Sequence, residues 1–187
     1  VRVSDALQHS LNVPAVLALD RVGPERFAAT LALAGAPPRI HGGADNSAGL
    51  ALALGGAGLT ARELAVIYAA LGDDGHAKPL AWTVDDEAKV RAMRGFRLMG
   101  PDSAAKILKI LKDAPTPDGR MPGRLTANAP QIAFKTGTSY GFRDAWAAAV
   151  SGDQAIVVWV GRADGAPRPG ETGRTTALPI LFEVADR

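Results

Sequence analysis

The sequence predicts an α+β fold, an antiparallel sheet packed with helices, on three observations. The first two thirds of its 187 residues are dominated by capped segments with apolar residues three and four apart. The texture then changes to three runs rich in β-branched and small apolar residues, at 131–139, 144–150 and 154–161. Only four and three residues join these runs, and links that short pair neighbouring strands antiparallel. A final apolar helix follows, and helices, a meander and a helix together make an α+β domain.

Taken in order, Ser4 or Asp5 can cap a short helix reaching about residue 11. Pro14 disfavours the helical region for Val13, which puts a break near Asn12 and a second helix at 14–22. Gly23-Pro24 opens a third, to about residue 34, which Gly35 stops. Residues 37–47 read as loop. Thr60-Ala61-Arg62-Glu63 is a capping box and starts a helix with Leu64, Ile67, Tyr68 and Leu71 on one face, ended by Asp73-Asp74-Gly75. Residues 83–100 are polar and carry no assignable period. A helix over 101–112 turns Ala104, Ile107, Leu108 and Leu111 inward, and 115–130 is a Pro- and Gly-rich loop. The last helix starts near Thr175 with Leu178, Leu181 and Val184 inward.

Composition narrows the function. A domain of this length buries roughly 70% of its unfolded surface, and 47% apolar residues argue against disorder. A net charge of +2 is too small for a nucleic-acid footprint. No cysteine is present, so disulfides and thiolate metal sites are excluded. His9, His41 and His76 lack ligand spacing, and neither a metal nor another cofactor is called for. No apolar run approaches the ~20 residues of a membrane helix. The sequence opens on Val1-Arg2-Val3, which reads as a segment already inside a fold and carries no signal peptide.

Two motifs carry chemistry. Lys135-Thr136-Gly137-Thr138-Ser139 falls on a strand, where Lys135 and Gly137 share a face. The cation, the missing side chain beside it and the nearby hydroxyls suit an extended anionic peptide. Ser10-Leu11-Asn12 sits at the helix break, where side chains leave the helix face; serine and asparagine at helix ends also simply cap backbone groups.

Together they resemble the active-site serine penicillin-binding proteins and serine β-lactamases, which use S-x-x-K, S-x-N and K-T-G in that order. The run Ala6-Leu7-Gln8-His9-Ser10-Leu11-Asn12-Val13-Pro14-Ala15-Val16 resembles the S-x-N region of the class A, bifunctional members. The segment from Lys135 to Trp146, Leu54-Gly55-Gly56-Ala57 and Pro179-Ile180-Leu181-Phe182 are similar to that family as well. The resemblance implies the C-terminal part of a penicillin-binding transpeptidase domain over 1–187, of that fold and incomplete at the N-terminus.

It further implies a peptidoglycan DD-transpeptidase that passes through an acyl-serine and is a β-lactam target. Ser10 would relay a proton to the leaving amine, and Lys135 would hydrogen-bond Ser10. Asn12 would bind the substrate amide, while Thr136 and Thr138 would hold its carboxylate, with Gly137 and Ser139 completing the binding strand. The Thr138 N–H would be one oxyanion donor. Strict alternation puts both threonines opposite Lys135, so a twist or bulge near Gly137 is expected to re-aim them.

The S-x-x-K nucleophile motif has no room ahead of Ser10. The one literal match, Ser103-Ala104-Ala105-Lys106, follows S-x-N and reads as a helix start with a solvated lysine. The expected partners are peptidoglycan stem peptides and β-lactams, the remaining N-terminal half of the domain and an upstream glycosyltransferase domain. Nucleic acid is not among them, and a membrane enters only through the parent protein's anchor, at the periplasmic face of the inner membrane. Alternatives are a carboxypeptidase or β-lactamase-type hydrolase and a non-catalytic peptidoglycan- or β-lactam-binding module. Trp146 reads as core and Asp144 as a partner of the loop beside it. Arg91, Arg94 and Arg97 recur at threes, as a solvated face or an anion contact; Gly42-Gly43 and Gly55-Gly56 match no phosphate-binding pattern.

Overall fold

A computed structural model describes residues 1–40, 49–117, 119–121 and 131–186. His41, Gly42-Gly43 and most of the loops expected at 37–47 and 115–130 lie outside the described residues. Three helices open the chain: α1 (Val3–Gln8), α2 (Asn12–Val22) and α3 (Pro24–Leu33). A two-residue strand β1 (Arg39–Ile40), a 3-10 turn (Leu50–Leu54) and β2 (Ala57–Gly58) follow, with β1 and β2 antiparallel. Next come α4 (Ala61–Gly72), β3 (His76–Ala77), α5 (Val84–Ala92) and β4 (Phe96–Arg97), which pairs with β3. Helix α6 (Pro101–Lys112) leads to the sheet β5 (Ala133–Thr138), β6 (Asp144–Ser151) and β7 (Gln154–Gly161), in that order and antiparallel throughout. A π-turn (Gly173–Ala177) runs into α7 (Leu178–Ala185).

The sheet is the middle layer. Phe134, Ala145, Ala147 and Ala149 face α7, where Leu178, Leu181 and Phe182 complete the larger core. The rings of Phe134 and Phe182 meet edge to face with centroids 5.2 Å apart. The opposite face packs on α4, which itself touches α6. Half of strand β6 is alanine, a residue depleted from strands. It lies in the centre of the sheet, and its small side chains let a helix approach from either side. A second cluster, of Ala34, Val66, Ala70 and Ala77, joins α3, α4 and β3.

Several boundaries differ from the sequence reading. Ser4 and Asp5 lie inside α1 rather than capping it; Arg2 holds the N-cap position and its guanidinium pairs with Asp5. The break falls at Ser10–Leu11, and α2 starts at Asn12, so Pro14 sits in its first turn. The ring is tolerated there because first-turn N–H groups have no intrahelical acceptor. Residues 83–100 contain α5, capped by the Thr83 hydroxyl, which accepts from the Asp86 N–H. On α4 the deepest residues are Val66, Ala70 and Leu71, with Leu64, Ile67 and Tyr68 half-buried. Burial pushes the Tyr68 hydroxyl up to about 12. In α7 Phe182 takes the inward place expected of Val184, because it lies four residues after Leu178 on the same helix face while Val184 falls outside it.

The capping box is present in full. Glu63 accepts from the Thr60 N–H at 2.7 Å and returns to Arg39 through two bonds of 2.8 and 2.9 Å. This fork ties β1 to α4 and holds the Glu63 carboxyl at about 2, below its ordinary 4.5. A depressed carboxyl contributes stability above its unfolded value and loses it as pH falls through the folded one. Glu63→Gln is expected to lower stability by about 1 kcal/mol at neutral pH, with the difference shrinking from pH 4.5 toward pH 2, as read from urea midpoints.

Candidate active site

The two sequence motifs meet. Lys135, in the middle of β5, donates from Nζ to Ser10 Oγ at 2.7 Å and to its neighbour's carbonyl, Thr136 O, at 2.8 Å. Each half of the contact has its own local cause. At the end of α1, the Leu11 N–H reaches Ala6 O at 2.9 Å and the Ser10 N–H reaches Leu7 O at 3.3 Å. That pair of bonds is a Schellman motif, with Ser10 at the left-handed position, φ +54°. Glycine normally occupies it; a side chain there costs roughly 1–2 kcal/mol. The turn throws the serine hydroxyl off the helix face and leaves Asn12 exposed at the first position of α2.

A second contact sets where α1 lies. Gln8 Nε2 donates to Ile110 O at 2.9 Å, capping a carbonyl in the last turn of α6. Helix α6 also packs on β5, the strand carrying Lys135. Lys135 is half-buried, and among the described residues no carboxylate pairs with it; burial pushes its ammonium below the ordinary lysine value of 10.5.

The threonines do not turn. β5 pairs with β6 residue for residue from Ala133 to Thr138, with no bulge. Thr136 and Thr138 therefore stay on the α7 side, opposite Lys135, contrary to the expected re-aiming. The reason is a bond on that side: the Gly173 N–H donates to Thr138 Oγ1 at 3.0 Å. A Cβ on Gly173 would collide with the Gly137 and Trp146 carbonyl oxygens, so only glycine lets the π-turn settle on these strands. The Thr138 hydroxyl proton remains available on this exposed strand end. Gly137 is exposed, and its open position faces the Trp146 Cβ across a strand pair.

Ser139 shapes the turn that follows. Its Oγ accepts from the Asp144 N–H at 2.8 Å, and its N–H donates to Asp144 O at 3.0 Å. The Asp144 carboxylate accepts from Trp159 Nε1 at 2.9 Å, so it is the backbone of Asp144 that bonds the loop. Trp146 is half-buried beside Trp159 rather than enclosed. Ser103 and Lys106 are exposed on α6. Sequence reasoning missed Gln8 and Gly173; the amide beside Ser10 and the lone Gly before Arg174 gave no sign of their distant partners. Among the described residues no group of three or more His, Asp or Glu side chains could hold a metal ion, and no helix is long and apolar enough to cross a membrane.

Chemically, a desolvated lysine bonded to a hydroxyl oxygen is a proton relay: as the hydroxyl gives up its proton, the ammonium can replace it. An exposed strand edge beside it can take an extended chain.

Fold and paired motifs define the class: the chain is a relative of the penicillin-binding transpeptidases. Its sequence is 40% identical over 186 residues, 98% of the chain, to penicillin-binding protein 1C of Escherichia coli (strain K12), and it spans 23% of that protein's length. The fold matches penicillin-binding protein 1A from Haemophilus influenzae with a TM-score of 0.73 at 20% identity, over 99% of this chain and 34% of that one. Penicillin-binding protein A from M. tuberculosis, solved as an imipenem acyl-enzyme complex, matches with a TM-score of 0.66 at 21% identity, over 100% and 48%. The transpeptidase domain of a D,D-transpeptidase from Legionella pneumophila matches at 0.64 and 21%, over 98% and 68%. No protein-family model matches the chain.

The left-handed serine makes a clean test. Ser10→Gly and Ser10→Ala both remove the hydroxyl from Lys135, and only alanine keeps a Cβ at positive φ. The glycine variant is expected to be more stable than the alanine variant by about 1 kcal/mol in urea unfolding. Equal stabilities would mean that Ser10 is not held in this conformation.

Proposed function

We propose that residues 1–187 form the C-terminal part of a transpeptidase domain and supply the S-x-N and K-T-G portions of a peptidoglycan D,D-transpeptidase site. The observation that carries this reading is the 2.7 Å bond between Lys135 and Ser10, which joins two motifs standing in the family's order. The nucleophilic serine comes from an S-x-x-K segment outside this sequence, and the whole acts at the periplasmic face of the inner membrane behind a glycosyltransferase domain.

In this reading the stem peptide lies along β5. Its terminal carboxylate meets the Lys135 cation. Thr136 and Thr138 both project to the other side of the strand, where the Thr138 hydroxyl still has a proton to donate, and Thr136 contributes its carbonyl, which orients Lys135. Asn12 binds the backbone amide from the helix side. The nucleophile's oxygen bonds to the penultimate D-Ala carbonyl carbon as its proton passes to the lysine of its own S-x-x-K segment, and the Thr138 N–H takes the oxyanion. As the C–N bond breaks, Ser10 gives its proton to the departing D-Ala amine and is resupplied by Lys135, which takes back a proton from that other lysine. An amine from a neighbouring strand then attacks the acyl-serine and restores the nucleophile's hydroxyl.

Lys135 is suited to this work by its depressed pKa, which brings donor and acceptor closer in basicity. The Tyr140–Phe142 turn beyond it is held by Ser139 and by the Arg168 N–H, which reaches Phe142 O at 2.9 Å. It displays Tyr140, 97% exposed, at the end of the binding strand.

Fluorescent penicillin tests the assignment. This chain alone is expected to take no covalent label after denaturation, whereas a longer protein carrying the upstream segment labels. Lys135→Ala in the longer protein is expected to slow labelling ten- to a hundredfold, the loss of a charge-assisted bond of about 1.5–3 kcal/mol. Stoichiometric labelling of this chain, abolished by Ser103→Ala, would move the nucleophile to Ser103. An unlabelled longer protein would favour a binding module, and release of D-Ala without cross-links a hydrolase.

A further inference from the structure

A second concave site lies away from Ser10 and Lys135 and shares no residue with them. It is an open groove of about 670 Å³ between the end of α3, the start of α4 and the β3–β4 hairpin. Val66, Leu80 and Phe96 form an apolar floor. Trp82, 65% exposed, and the guanidiniums of Arg62 and Arg94 stand at the rim.

Some arginines of the described surface close on a carboxylate and others do not. Arg39, Arg91, Arg120, Arg162 and Arg168 each close on a carboxylate. Arg62 and Arg94 close on none among the described residues, and the one carboxylate in the groove, Glu63, is already taken by Arg39. The Arg62 guanidinium carbon lies 4.5 Å from the centroid of the Trp82 ring, a cation–π contact that uses none of its N–H donors and so leaves the fork able to take a bidentate acceptor. It also sits in the first turn of α4, where the helix dipole disfavours a cation and favours an anion. A carboxylate bound between Arg62 and that helix end would relieve this mismatch. Among Arg91, Arg94 and Arg97, the residues the sequence spaces by threes, only Arg94 reaches the groove: α5 ends at Ala92, Arg91 turns to Glu87 and Arg97 lies in β4.

We propose that this groove binds an acidic peptide segment of a protein partner, seating a large apolar side chain on Val66, Leu80 and Phe96 and a carboxylate on Arg62 and Arg94. The volume suits a few residues. Exposed Trp, Met and Arg together are the composition of interface anchors, and Met93 supplies the Met. The floor offers few side-chain groups to read sugar hydroxyls, which favours a peptide over a glycan.

The test uses fluorescence anisotropy with a fluorescein-labelled tetrapeptide alternating Glu and Phe. Its counterpart alternating Gln and Phe serves as the neutral probe. The acidic probe should bind, more weakly as salt rises, and the neutral probe about tenfold worse. Arg62→Gln and Arg94→Gln should each weaken the acidic probe about tenfold at unchanged melting temperature. Arg62→Lys, which keeps the charge and loses the fork, should fall between. Equal binding of the two probes, indifference to both arginine substitutions, or no binding at millimolar protein would each overturn the proposal. So would displacement of the acidic probe by a muramyl disaccharide at lower concentration than by unlabelled peptide, which would make the groove a glycan site.

Discussion

Ser10 and Lys135 are 125 positions apart, and the loop between them must be closed before their hydrogen bond can form. Closing a chain of that length costs about 4 kcal/mol in entropy, while one exposed hydrogen bond returns about 1 kcal/mol. The contact is therefore a result of the fold and cannot be a cause of it. What holds the two ends is α6. Its inward residues Ala104 and Leu111 are buried, its surface packs on β5, and its last turn accepts the Gln8 amide. One rigid helix thus sets the position of both the strand that carries the cation and the short helix that ends in the serine.

The same division between what stabilises and what functions recurs inside the site. A Schellman turn with serine at its left-handed position is less stable than one with glycine, yet only a side chain there can reach Lys135. Lys135 is half-buried, and among the described residues no carboxylate offsets its desolvation. Its stability contribution has a definite sign. Because the folded value lies below 10.5, the unfolded chain binds more protons just beneath that pH, so folding is favoured as pH rises through that window. At neutral pH the charge is retained at a cost to the fold.

Much of this was legible in the residues. Runs of β-branched and small apolar residues with three- and four-residue links marked the meander, since nothing but an antiparallel pair fits so short a link. Thr60 and Glu63 marked the start of α4 because a capping box is a local device written in four consecutive residues. Helix α5 escaped because it buries no residue; its signals were the Thr83 cap, acidic residues in its first turn and basic ones in its last, with no apolar period to find. Alternation alone places Thr136 and Thr138 opposite Lys135, and the expected re-aiming does not occur because the strand pairs without a bulge. The bond that holds Thr138 in place comes from Gly173, 35 residues on, and no local pattern announces it.

The two cation-bearing regions share a physical logic. Across the described surface several arginines are neutralised by a carboxylate within a few residues or across a short gap, and such pairs add little beyond solubility. Lys135 is backed by a hydroxyl and a carbonyl, which orient the ammonium and leave its charge uncancelled. Arg62 is backed by an indole face, which does the same for a guanidinium. In each case the neutral partner fixes geometry in advance, so an arriving carboxylate meets an oriented cation and need not displace a resident anion. Each cation also borders a surface that can hold an extended chain, an exposed strand edge in one case and an apolar groove in the other. An anionic peptide is accordingly the ligand class proposed for both.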